Sequence, residues 1–132
     1  MRLSRRGPVV AGLVLGPAAL AGCSNEEKLY RVSGTVTHDG KPVAKGLIFF
    51  DPDGAKGTTG GQGFANILNG KYDTAAEGKG VRGGAYVVRI NGFDGKEANE
   101  APFGQPLFPE YTGNKELPKE DSTYDVDVPK KR

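Results

Sequence analysis

From Tyr30 the chain alternates, with Tyr30, Val32, Gly34 and Val36 on one side and Arg31, Ser33, Thr35 and Thr37 on the other. A period of two predicts a half-buried strand. Asp39-Gly40 follows as a turn dipeptide, because glycine accepts positive φ without a Cβ clash. Pro42 suits a turn or strand edge, where no N–H is needed. Gly46-Leu47-Ile48-Phe49-Phe50 is a short apolar run stopped by Asp51-Pro52-Asp53-Gly54. Its length predicts a strand buried on both faces in preference to a helix.

Residues 54–63 form a glycine-rich loop. Phe64 to Ile67 and Lys71 to Thr74 then read as two strands around Asn69-Gly70, a strong hairpin signal. After Gly83-Gly84, Tyr86, Val88 and Ile90 share one face and Ala85, Val87 and Arg89 the other. From Asn91 to Thr123 the pattern dissolves, and Pro102, Pro106, Pro109 and Pro118 interrupt any regular element. That makes 91–123 a long Pro-rich loop, pinned to the sheet by Phe103, Leu107, Phe108 and Tyr111. Tyr124-Asp125-Val126-Asp127-Val128 predicts a last strand with acids outward, and those acids and Pro129 protect an edge. No segment has an amphipathic helical period. Short strands with closely spaced turns predict an all-β protein, an antiparallel β-sandwich.

The first residues have a different pattern. Arg2, Arg5 and Arg6 form a positive segment before the apolar run Val9 to Ala21, which is too short for the roughly 20 residues of a membrane-spanning helix. Both features match a cleavable export signal. Leu20-Ala21-Gly22-Cys23 follows directly, and it resembles the bacterial lipobox of an aliphatic residue, two small residues and Cys. Small side chains at Ala21 and Gly22 let extended backbone enter a peptidase groove. A cysteine thiolate is the side chain best suited to take up a diacylglyceryl group. The resemblance implies cleavage between Gly22 and Cys23, lipid attachment at Cys23, and anchoring on a membrane by two or three acyl chains. An ordinary signal with a chance Cys is the alternative. Ser4-Arg5-Arg6 resembles part of a twin-arginine signal, although Gly7-Pro8 displaces the apolar residues expected there.

The organisation read from the sequence is a signal peptide over 1–22, a polar tether over 23–29, a β-sandwich over 30–129 and a basic tail over 130–132. The chain has 132 residues and a formal net charge of +2. With the three leading arginines set aside, the remainder is nearly neutral, so it has no field with which to gather nucleic acid. The single Cys rules out a disulfide within the chain.

Val32-Ser33-Gly34-Thr35-Val36 followed by Asp39-Gly40-Lys41-Pro42-Val43 resembles the opening of carboxypeptidase-regulatory-like domains, which share the transthyretin-like sandwich. Gly70-Lys71-Tyr72 and Gly84-Ala85-Tyr86 match the "GxY" element of that family. The resemblance covers residues 30–92 and the last strand, and it implies a small bacterial lipoprotein.

Candidate chemistry is sparse. Gly78-Lys79-Gly80-Val81-Arg82-Gly83 fits G-x-G-x-x-G, but a strand follows where a dinucleotide site needs a helix, so a flexible turn is expected. Asp51-Pro52-Asp53-Gly54 begins like a calcium loop, yet Ala55 and Gln62 stand where ligands are required. His38 is the only histidine, it is expected to be exposed, and no catalytic or metal motif supports it. Transthyretin-related hydroxyisourate hydrolases use more than one histidine and a Tyr-Arg-Gly-Ser type tail. This chain ends Val128-Pro129-Lys130-Lys131-Arg132, so that activity is not implied.

The expectation is a non-catalytic module of the cell envelope, with no cofactor and no metal, whose partners are the membrane and envelope proteins or glycans. The alternative is a carbohydrate or small-ligand binding lipoprotein. In that reading, rings drawn from Phe49, Phe50, Phe64, Tyr72, Phe103, Phe108 and Tyr111 line the ligand surface.

Overall fold

A computed structural model describes residues 28–130. The signal, the lipobox Leu20-Ala21-Gly22 and Cys23 lie outside the described residues.

The described chain is all-β, apart from one 3-10 turn at Gly54–Lys56. The strands are β1 (Val32–His38), β2 (Lys41–Pro42), β3 (Lys45–Pro52), β4 (Gly63–Leu68), β5 (Lys71–Asp73), β6 (Gly78–Lys79), β7 (Gly84–Phe93), β8 (Tyr111–Leu117), β9 (Ser122–Thr123) and β10 (Val126–Val128). They form one sheet in the order β10-β1-β5-β4-β3-β7-β8, with β2 and β9 on β1 and β6 on β4. Most pairings are antiparallel, but β1 pairs parallel with β9 and β10. The sheet is curled, and its two ends approach each other where Lys115 of β8 lies 5.3 Å over the ring of Tyr124, just before β10.

The alternation seen in the sequence explains what the curl encloses. Val32 and Val36 of β1, Ile48 and Phe50 of β3, and Tyr86, Val88 and Ile90 of β7 are all buried in one core with Val126 and Val128. Removing this apolar surface from water is the main force holding the sheet closed. The two "GxY" tyrosines put their rings in that core, and each hydroxyl finds a backbone partner. Tyr72 donates to the Tyr124 carbonyl at 2.6 Å, and Tyr86 accepts from the Arg82 N–H at 3.0 Å.

Both turn dipeptides have the left-handed backbone that a tight hairpin demands, with φ of 54° and 76° at Asp39-Gly40 and 51° and 77° at Asn69-Gly70. The turns dock on each other. The Gly70 N–H donates to Val43 at 2.7 Å and the Val36 N–H to Gly70 at 2.8 Å. A Cβ on Gly70 would meet Pro42 at 2.7 Å.

Besides its parallel pairings, the structure departs from the sequence reading in several places, and Phe103 and Leu107 stand exposed instead of pinning the 91–123 stretch. First, the 91–123 stretch is not one loop, because β7 runs on to Phe93 and β8 pairs with it along its whole length. β8 is polar and lies at the sheet edge, so no apolar period marks it. Second, Leu47 and Phe49 of β3 are only half-buried, so that strand has one core face instead of two. Third, Gly78 to Gly83 is not a flexible turn. Gly78–Lys79 pairs with β4, Val81 bridges Tyr30, and Val81 is buried. A Cβ at Gly78 would strike the Phe64 carbonyl, so glycine serves close backbone approach there. Fourth, His38 is half-buried, with its ring 4.8 Å from that of Phe108 and its Nδ1 3.2 Å from the Val128 carbonyl oxygen. Fifth, the last strand begins at Val126, and the acids before and within it hold β1: Asp125 accepts from the Thr35 N–H and Asp127 from the Thr37 hydroxyl.

Candidate functional site

Side chains opposite the core form the outer face of the sheet. Register places Phe49 of β3 beside Phe64 of β4 and Arg89 of β7, and Leu47 beside Asn66 and Asn91. Asp51 lies two residues along β3 from Phe49, diagonal to Arg89.

These neighbours make a charged cluster. The Arg89 Nε donates to Asp51 at 2.6 Å and its NH1 to Glu110 at 3.1 Å. Gln62 adds a second bond to Asp51 at 2.7 Å, and Asn91 one to Glu110 at 3.0 Å. The Arg89 guanidinium also lies 4.6 Å from the centre of the Phe49 ring, a cation–π geometry. The Asp51 carboxyl is held below its usual range, chiefly by the hydrogen bond from Arg89 and also by the one from Gln62. Each charged group has an opposite charge at hydrogen-bond distance. The cluster therefore ties β3, β7 and the segment before β8 together on this face.

A second ion pair lies on the β1–β5 side. Arg31 binds Asp73 through Nε and NH2 at 2.9 and 2.7 Å, and Asp73 also accepts the Ala75 N–H at 2.9 Å. This fork geometry holds Asp73 low in pKa, with the Arg31 hydrogen bond as the largest cause.

The residues singled out in the sequence are scattered. His38 lies at the end of β1 against Phe108 and meets no acid of either cluster. Asp51 belongs to the Arg89 cluster, and Asp53 caps the 3-10 turn by accepting the Ala55 N–H at 3.1 Å, so Asp51-Pro52-Asp53-Gly54 is a strand end and a turn. Of the rings proposed for a ligand surface, Phe50, Tyr72 and Phe108 are buried and Tyr111 packs partly on the core. Phe64 and Phe103 are exposed, and Phe49 is half-buried on the outer face.

Sequence reasoning did not find the Arg89–Asp51–Glu110 cluster. Its members are 38 and 21 residues apart, and only the β3–β7 register and the return through β8 bring them together. Among the described residues, no group of three or more His, Cys, Asp or Glu could hold a metal ion. No helix there is long and apolar enough to cross a membrane. No protein-family model matches the chain, and no curated protein matches it.

Proposed function

We propose that the chain is exported, cleaved before Cys23 and held on the outer side of a bacterial membrane by acyl chains on that residue. In this reading residues 30–129 are a transthyretin-like β-sandwich without catalysis, which serves as an interaction or accessory module of the cell envelope. The observation that carries the proposal is Leu20-Ala21-Gly22-Cys23, set directly after a short apolar run and containing the only cysteine. The curled all-β sheet supports the sandwich, and the pairing of Arg89 with both Asp51 and Glu110 supports a non-catalytic role.

The seven steps along the chain from Cys23 to Tyr30 span at most about 25 Å, so an anchored domain would sit close to the bilayer. Labelled fatty acid supplied to growing cells tests the anchor. Label enters the natural chain and not the Cys23→Ser variant; equal labelling of both rejects the assignment.

A second reading, binding of a carbohydrate or small ligand, is favoured by the rings of Phe64 and Phe103, which stand exposed outside the core.

A further inference from the structure

On the outer face, β4 and β5 pair at a single position, Leu68 with Lys71, and then diverge. The divergence opens a hollow of about 590 Å³ whose lining includes Thr35, Lys71, Asp73, Asn66, Leu68 and Glu77. A second hollow, of about 200 Å³, shares Asn66, Leu68 and Glu77 with the first and extends to Lys45 and Phe103. A third, of about 370 Å³, shares Phe103 and continues to Phe93 and Pro106. Shared lining residues set the three side by side as a segmented trough across the strands.

The lining limits what the trough takes. Over the three hollows, three cations (Arg31, Lys71 and Lys45) face four carboxylates (Asp73, Glu77, Asp125 and Glu100), a near balance in which the field favours no anion and only weakly a cation. Leu68 is 55% exposed and Phe103 39%, which places two apolar platforms along the path. Between and beside them stand a carboxamide (Asn66), hydroxyls (Ser33 and Thr35) and carboxylates, which are hydrogen-bonding partners for hydroxyl groups.

An extended peptide is disfavoured. Such a ligand gains most from backbone bonds to a sheet edge. The trough instead crosses β4, which pairs with β3 on one side and with β5 and β6 on the other. Recognition has to come from side chains.

We infer that this trough binds a linear, uncharged glycan, whose apolar sugar faces rest on Leu68 and Phe103 while its hydroxyls meet Asn66, Glu77 and Thr35. The inference builds on the envelope-display role by naming a class of partner.

The test is retention of the purified full chain on insoluble neutral glycans (cellulose, chitin, amylose and β-1,3-glucan), with an acidic glycan and an immobilised peptide library in parallel. The expected result is retention on at least one neutral glycan, reversed by soluble oligosaccharide of the same linkage. Leu68→Ala and Asn66→Ala should each weaken it about tenfold, the size expected when one good contact is lost. Thr112→Ala, exposed on β8 and outside the trough, should leave it unchanged. The Cys23→Ser chain should bind the glycan as well as the natural chain does, so failure of the anchor and failure of the trough read out separately. No retention on any neutral glycan, retention on the acidic glycan or peptides alone, or retention indifferent to Leu68 and Asn66 would overturn the inference.

Discussion

The Tyr72 hydroxyl donates to the Tyr124 carbonyl at 2.6 Å, and it does so across Gly34 of β1. Gly34 is paired directly with Tyr72, and a Cβ there would run into the Tyr124 carbonyl. The missing side chain thus gives the phenol its path from β5 to the segment before β10. On the other flank of β1, the Tyr124 N–H donates to Ser33 at 2.8 Å. Burial raises the Tyr72 phenol well above its ordinary pKa, so it remains a donor throughout the working pH range.

Tyr72→Phe removes that donor and leaves a half-buried carbonyl short of a partner. The expected cost is about 1 kcal/mol, read as a lower urea midpoint at unchanged slope.

Gly34→Ala should cost more, about 2–3 kcal/mol, because the added methyl must displace the Tyr124 backbone. The same urea titration ranks the two variants, and equal stability of Gly34→Ala and the natural chain would contradict the close approach described.

Acid should weaken the fold through Asp51 and Asp73, whose carboxyls are both held low by arginine partners. The folded pKa of each lies below its unfolded value near 3.9, so the stabilisation is fully present above about pH 4. It is lost as pH falls through the lower folded value. In Asp51→Asn one of the two titrations is gone, so the slope of stability against pH below about 4 should be shallower than in the natural chain.

At the sheet edge, Lys115 of β8 is exposed, with its ammonium over Tyr124. A charged lysine on an edge strand discourages further strands from pairing there. Lys115→Val should therefore self-associate at concentrations where the natural chain does not, as measured by light scattering across a dilution series.

β1, β7 and the Asn69-Gly70 hairpin could be read from the sequence because each has one wet and one dry face or a turn that only certain residues can make. β8 could not, since Thr112, Gly113, Asn114, Lys115 and Glu116 lie on an edge strand with little burial. The parallel pairing of β10 with β1 joins residues 90 apart, which no local pattern encodes. Gly78 and Gly80 read as a flexible turn because glycine serves close packing and flexibility equally well, and only the nearby Phe64 and Tyr30 carbonyls distinguish the two uses. The Arg89 cluster and the trough were hidden for the same reason. Asp51 with Arg89, and Leu68 with Phe103, become neighbours only through register and folding back.

The intact mass of the protein extracted from membranes with detergent decides whether Cys23 carries the anchor. An anchored chain starts at Cys23 and exceeds its polypeptide mass by a diacylglyceryl group, with or without a further acyl chain. A membrane-extracted chain that retains Met1 to Gly22, or one that starts at Cys23 with a free thiol, would contradict the anchor.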